Sequence, residues 1–182
     1  MRFRLATYSF CLSIGIALGL FVIPAHAEKA DKDKPIALSS DKAQFDDVKQ
    51  IYYLERNVLL IKGSLIIKGE KAEVKIDPEG YQFVTIFAKP GELASLRQKR
   101  DTGFNDFIEG FAELIEYDGK TDIAILQKQA RMNQISGTKI TDQLNGDKIH
   151  YDGNSEKYNV VSKASVKSTL SPRRKELTGP SK

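Results

Sequence analysis

Few residues of this sequence have the types and spacings that catalysis or metal binding requires. The 182 residues include two histidines, His26 and His150, and one cysteine, Cys11. His150 lies between Ile149 and Tyr151, so on a strand it points to the face opposite theirs. A lone histidine lacks the partners that a metal site or a nucleophilic triad requires. We therefore predict a structural role for His150 and no metal site.

Pairs of carboxylates are the remaining candidates for chemistry. Asp46-Asp47 falls at a predicted turn, and Glu113 and Glu116 fall on a predicted strand. Glycoside hydrolysis needs two carboxylates facing each other across a cleft, which spacing in sequence does not establish. The sequence also contains no Gly-x-Ser-x-Gly, His-Glu-x-x-His or glycine-rich phosphate-binding motif. We predict no catalytic residues, no cofactor and no enzymatic activity.

The N-terminus has the three-part pattern of a secretory signal peptide. Two arginines precede an apolar run over residues 8–23, which Pro24 and Ala25-His26-Ala27 follow. The run is shorter than the roughly 20 residues of a membrane-spanning helix, although a retained anchor is the alternative. We predict a signal peptide over residues 1–27 and a polar linker over 28–34. Cys11 is removed with the signal, so the exported chain forms no disulfide.

The C-terminal end is basic and rich in Ser, Thr, Pro and Gly. We predict a folded domain over residues 35–166 and a basic disordered tail over 167–182. The alternative is an arm that contacts phosphates or an acidic partner. The whole sequence carries 28 basic and 24 acidic residues, and the signal peptide removes two of the former. The remaining excess is too small to indicate nucleic-acid binding.

Over residues 35–161, apolar residues recur with period two, which is typical of strands. Ala72 and Val74, for example, alternate with Glu73 and Lys75. Turn signals separate the runs: Lys62-Gly63, Lys68-Gly69, Asp77-Pro78-Glu79-Gly80, Lys89-Pro90-Gly91, Asp118-Gly119, Ser136-Gly137, Asn145-Gly146 and Asp152-Gly153. Many short strands at even spacing predict an all-β sandwich, barrel or jelly roll.

Two further patterns complete the description of the body. Residues 93–99 have the composition of a short helix, which Asp101-Thr102-Gly103 would end, and we predict a polar loop over 97–105. Gly69, Gly110 and Gly146 each precede a short polar step and a strand, which indicates either a loose repeat or chance.

Several predicted strands are apolar on both faces, so one face must be covered or used. The alternatives are a lipid-binding interior and an ordinary packed core. The aromatic candidates for the wall of a lipid-binding interior are Phe45, Phe83, Phe87, Phe107, Phe111, Tyr117 and Tyr151.

Five short motifs follow one another in order over residues 34–161. They are Lys34-Pro35-Ile36-Ala37-Leu38-Ser39-Ser40-Asp41, Asn57-Val58-Leu59-Leu60-Ile61-Lys62-Gly63-Ser64-Leu65-Ile66-Ile67, Ala88-Lys89-Pro90-Gly91, Ile108-Glu109-Gly110-Phe111-Ala112 with Tyr117, and Gly146-Asp147-Lys148-Ile149-His150-Tyr151. Together they resemble the LptA (OstA-like) family of lipopolysaccharide transport proteins. The sequence departs from the family pattern at Arg56, where Gly is expected, and in a longer insert over residues 96–107.

The resemblance implies an open, twisted antiparallel β-jelly roll in the periplasm, whose apolar interior takes the acyl chains of lipid A. It further implies a head-to-tail homo-oligomer that bridges the two membranes, receiving lipopolysaccharide from inner-membrane LptC and delivering it to outer-membrane LptD. The lipid-binding residues that it implies are Ile36, Leu38, Leu93, Phe111 and Tyr117. The alternative function is a periplasmic β-repeat scaffold that binds another protein rather than lipid.

The two ends of the predicted roll are candidates for contact between copies. Unprotected strand edges offer main-chain N–H and C=O groups to another chain. The edge residues that we predict are Ile36, Ala37, Leu38 and Ser39 at one end and Tyr158, Asn159, Val160 and Val161 at the other.

Overall fold

The computed structural model describes residues 34–172, and all the regular secondary structure among them is β-strand. The predicted signal peptide, residues 28–33 of the predicted linker and residues 173–182 of the predicted tail lie outside the described residues. The strands are β1 (Ile36–Ser39), β2 (Lys42–Asp46), β3 (Ile51–Lys62), β4 (Leu65–Ile76), β5 (Gln82–Phe87), β6 (Ala94–Lys99), β7 (Asp106–Ala112), β8 (Leu114–Asp118), β9 (Ile123–Ser136), β10 (Lys139–Asp152), β11 (Lys157–Val161) and β12 (Lys167–Leu170).

The twelve strands form one antiparallel sheet that folds over on itself. The long strands β3, β4, β9 and β10 each contribute one half to each of two layers. One layer, called layer A here, runs β2-β3-β4-β5-β8-β9-β10-β11. The other, layer B, runs β1-β3-β4-β6-β7-β9-β10-β12. The result is a jelly-roll arrangement, which the family resemblance implies and which is one of the alternatives that the strand pattern leaves open.

The long strands bend where they pass from one layer to the other. Arg56 and Asn57 in β3 have φ of 63° and 52°, and Lys128 and Gln129 in β9 have φ of 62° and 53°. Register shifts accompany both pairs, at Glu55/Val58 in β3 and opposite Gly146/Lys148 in β10. Arg56 therefore adopts the left-handed backbone that glycine favours, which an arginine occupies at a cost in strain.

The repeated glycines mark these bends. Gly69 and Gly146 lie inside β4 and β10, so the turns predicted at Lys68-Gly69 and Asn145-Gly146 are wrong. A Cβ at Gly69 would lie 2.3 Å from Cγ2 of Ile86, and one at Gly110 would lie 2.6 Å from Cδ2 of Leu126. Glycine is needed because side chains of the facing strands fill the space at each bend.

Gly69→Ala is therefore expected to destabilise the fold by about 3 kcal/mol, because overpacking a core costs roughly 1–3 kcal/mol and the backbone oxygen of Phe87 is also close. Urea unfolding measures the change, with outward-facing Ser95→Ala as a control expected to shift stability by less than about 0.5 kcal/mol. The double variant with Ile86→Ala should cost less than the sum of the two single changes. Additive costs would mean that Ile86 does not define the space at this bend.

Two predictions about local structure are corrected. Residues 94–99 form strand β6, not a helix or the start of a loop, because β4 and β7 pair with both of its edges. Residues 167–170 form strand β12 on β10, so the tail predicted from 167 does not begin there. The pairing with Asp142–Asn145 supplies main-chain hydrogen-bond partners that composition did not reveal. The described part of the chain contains no helix that could cross a bilayer.

Candidate functional site

The two layers enclose an apolar interior that runs from the edge of β1 and β2 to the edge of β11 and β12. Strand alternation directs every second side chain of both layers into this space. Buried residues from β3 to β10 fill its middle, and partly buried residues pack against them at both ends. The fully buried large side chains include Leu60, Leu65, Ile67, Ile86, Leu96, Ile108, Ile115, Leu126, Met132, Ile149 and Tyr151.

Three of the predicted lipid-binding residues face this interior. Ile36 and Leu38 on β1 are half-buried and pack against the core at the N-terminal end of the roll. Tyr117 on β8 is 6% exposed and lies in the core. Its hydroxyl donates a hydrogen bond of 3.0 Å to Oδ1 of Asp122.

The other two predicted lipid-binding residues do not face the interior, and their assignment is corrected. Phe111 alternates with the buried residues Gly110 and Ala112, so it lies on the outer surface of layer B. The guanidinium of Arg131 covers its ring at 4.6 Å from the centroid. Leu93 is exposed in the bend between β5 and β6. A match of motifs along the chain does not tell which face of a strand a residue occupies.

The predicted edge residues lie at opposite ends of the roll. Among the described strands, β1 pairs only with β3, and β11 pairs only with β10. At the first end β1 and β2 both flank β3, one in each layer. At the other end β11 and β12 both flank β10. Both layers thus contain the same number of strand segments, and each end presents two strand edges side by side.

The C-terminal end of the interior contains an apolar cavity of about 300 Å³. Inner-facing residues of both layers line it: Met132, Gln134, Asp142, Leu144, Tyr158, Val160 and Leu170. Here the interior is less completely filled by side chains than it is in the middle of the roll. The sequence predicted the edge role of Tyr158 and Val160 but not this cavity, whose wall includes β12.

On the long side of the roll opposite the bends, no strand connects the described parts of the two layers, and this side is called the open side here. Charged side chains bridge the gap between the layers along it. Lys62, at the end of β3 in layer B, is 1% exposed. Its Nζ lies 6.0 Å from the ring centroid of Tyr117 and 3.3 Å from the Cβ position of Gly119, both in layer A. Arg100 in layer B forms an ion pair with Glu156 in layer A. The interior is therefore apolar with a polar margin along one side.

Lys62 and Arg100 are not among the predicted site residues, because their partners are distant along the chain and become neighbours only when the sheet folds over. A lysine or arginine at a strand end ordinarily indicates a solvated position. Among residues 34–172 no group of His, Cys, Asp and Glu side chains is arranged to hold a metal ion. The site that these residues form is an amphipathic interior.

The comparison with known proteins gives this geometry a family. Residues 37–157 match the model of the family described as LptA/(LptD N-terminal domain) LPS transport protein. The chain belongs to this family. The matched segment runs from β1 through β10 to the first residue of β11, so it covers most of both layers but not β12.

Individual relatives agree with the assignment to the LptA family. The lipopolysaccharide export system protein LptA of Haemophilus influenzae is 28% identical over 150 residues, covering 81% of this chain and 83% of that protein. The lipopolysaccharide export system protein LptH of Pseudomonas aeruginosa is 25% identical over 163 residues, covering 89% and 87%. The crystal structure of LptH superposes with a TM-score of 0.69 at 22% identity, covering 78% of this chain and 99% of that one. That structural likeness confirms the fold.

Proposed function

We propose that this protein is a non-enzymatic periplasmic carrier of lipopolysaccharide. The acyl chains of lipid A occupy the interior between the two layers, and the sugars and phosphates remain at the open side. The observation that carries the proposal is the apolar interior, open at its C-terminal end, in a member of a lipopolysaccharide transport family. The exposed strand edges support assembly of copies into a bridge, with LptC and LptD as the partners at its two ends.

The physical basis of binding is the removal of acyl chains from water. Each buried methylene contributes roughly 0.8 kcal/mol, so partial insertion of one chain supplies useful affinity without any catalytic group. The middle of the interior is filled with side chains, so the two layers must separate for longer segments of chain to enter. The open side is where such movement costs least, because no pairing among the strands of residues 34–172 joins the layers there.

Purification from periplasm without detergent tests the proposal against the scaffold alternative. We expect mass spectrometry of the purified protein to detect lipopolysaccharide in a ratio that survives gel filtration. A protein purified repeatedly without lipid, but with a stoichiometric protein partner, would support the scaffold instead.

A further inference from the structure

Arg100 and Glu156 join the two layers across the open side of the roll. Arg100 follows β6 in layer B, and Glu156 lies in the turn between β10 and β11 in layer A. The guanidinium donates one hydrogen bond from Nη2 to the Glu156 carboxylate and another, of 3.1 Å, from Nη1 to Oε1 of Gln134. The side chains are 11% and 25% exposed, respectively. Arg100 is thus a largely buried cation whose anion comes from the opposite layer.

Glu156 offsets the cost of burying the Arg100 guanidinium, which stays charged. Burial acts to lower the pKa of Arg100, and the hydrogen bond and charge of Glu156 outweigh it, so that the pKa is raised. A buried cation that loses its partner is strongly destabilised, so any ligand that displaces Glu156 must replace its negative charge.

Arg100 contacts a residue that lines the apolar cavity at the C-terminal end. Gln134, its hydrogen-bond acceptor, and Tyr158 both line that cavity. A molecule with an acyl chain in the cavity therefore places its polar end close to the guanidinium. Arginine suits a phosphate here, because its planar fork can donate two parallel hydrogen bonds to phosphate oxygens and it is weakly hydrated.

The approach of a phosphate is restricted to the side that Glu156 occupies. A second cavity, of about 370 Å³, lies on the layer B side and is lined by Arg100 and by two carboxylates, Asp106 and Asp142; Asp142 also lines the apolar cavity. Asp106 accepts a hydrogen bond of 2.9 Å from Thr102, and Asp142 accepts one of 3.1 Å from the N–H of Ser171. Negative charge on that side repels an anion. The position that the Glu156 carboxylate occupies is therefore the one at which a phosphate can reach Arg100.

We propose that Arg100 binds a phosphate group of the carried lipid, and that the Glu156 carboxylate occupies the phosphate position on Arg100 when no lipid is bound. The inference rests on the proposed function, since it assigns the polar end of the lipid whose acyl chains enter the interior. Glu156 is a competitor of the ligand as well as a clasp between the layers. Its removal should therefore strengthen the binding of a phosphorylated lipid, whereas the loss of an ordinary structural ion pair would not.

Binding of two lipids to the full-length mature protein tests this assignment. The probes are a bisphosphorylated lipid A and the same lipid after enzymatic removal of its phosphates. Since a hydrogen bond to a charged group contributes roughly 1.5–3 kcal/mol, Arg100→Gln should weaken binding of the phosphorylated lipid by at least about 10-fold. It should change binding of the dephosphorylated lipid by less than about 3-fold. Glu156→Gln should tighten binding of the phosphorylated lipid by about 5–10-fold, and Arg100→Lys should retain part of the preference.

The matched control is the ion pair between Arg97 and Glu109, which lies on the outer surface of the same layer. Arg97→Gln removes one positive charge and Glu109→Gln removes one negative charge, as the two test variants do. Arg97 is three residues from Arg100 and its pair with Glu109 faces outward, so both variants should leave the preference for phosphate unchanged. Thermal unfolding of each variant establishes that the compared proteins are folded. A third probe, inorganic phosphate, should bind Glu156→Gln far more weakly than the lipid does, because it lacks the acyl anchor.

The outcomes separate the two proposals. If neither lipid binds the parent protein, the carrier function itself is wrong. If both lipids bind equally and Arg100→Gln changes neither, the protein carries lipid but Arg100 does not bind phosphate. Weaker binding of both lipids by Glu156→Gln would mean that the pair is only a structural clasp. Equal binding of inorganic phosphate and phosphorylated lipid would mean that the site takes a free anion.

Discussion

Leu38→Asp is expected to weaken lipopolysaccharide binding by more than about 100-fold, while Ala37→Asp on the same strand leaves it unchanged. Leu38 faces the interior at the N-terminal end, and Ala37 faces outward. A carboxylate at position 38 must be desolvated when acyl chains contact it, which costs several kcal/mol. About 3 kcal/mol corresponds to a factor of more than 100 in affinity. Titration with labelled lipopolysaccharide measures both variants.

A second matched pair tests the other end of the interior. Val160 packs against the core and lines the apolar cavity, whereas its neighbour Val161 is exposed. We expect Val160→Asp to weaken binding about as much as Leu38→Asp, and Val161→Asp to have little effect. Both pairs lie on short edge strands, so circular dichroism and thermal unfolding should show folded proteins. Normal binding by folded Leu38→Asp and Val160→Asp would exclude the interior as the lipid site.

The second large effect concerns assembly. A chain that lacks β1, and a chain that ends at Val161 and so lacks β12, should each fail to form filaments, yet should form dimers when mixed. Removing either strand leaves one layer a strand shorter than the other, by about 4.8 Å, so only one layer can pair with the next copy at that end. The opposite end of each truncated chain remains intact. Because the two ends differ, contact between copies is heterologous, and two complementary defective chains can join only once.

Light scattering over a range of protein concentrations measures this assembly. The full mature chain should increase in mean mass with concentration, and a chain ending at Pro172 should do the same, because it retains β11 and β12. The chain that lacks β1 and the chain that ends at Val161 should each remain a monomer when measured alone. If one truncation abolished assembly completely and the other had no effect, the contact would be between like ends, and the bridge model would be wrong.

Local sequence patterns predicted most strands because alternation and turn residues act over a few positions. Asp118-Gly119 and Ser136-Gly137, for example, do connect consecutive strands. The same rule failed at Asn145-Gly146, where glycine is needed because a Cβ would lie 2.6 Å from Cγ1 of Val160. That requirement comes from a strand that follows later in the chain. Strand β6 was missed for a similar reason, since its Leu, Arg, Gln and Lys residues favour helix until two neighbouring strands pair with it.

The candidate site was less predictable than the fold. Of the predicted lipid-binding residues, Tyr117 and Leu38 face the interior, but Phe111 faces outward. Face is fixed by register, and a shift of one residue reverses it. Lys62 and Arg100 could not be found from sequence, because their partners lie in the other layer. Contacts across a folded-over sheet depend on where each strand bends, which depends in turn on close packing at Gly69 and Gly110.

Photo-crosslinking in cells tests the central claim most directly, namely that lipopolysaccharide is carried between the two layers. A photoreactive phenylalanine derivative replaces Tyr158, which lines the apolar cavity, or Phe111, which lies on the outer surface of layer B. Both changes substitute one aromatic side chain for another, so the comparison isolates position. We expect irradiation to produce a lipopolysaccharide adduct from position 158 and none from position 111. An adduct from position 111 without one from position 158 would contradict transport through the interior.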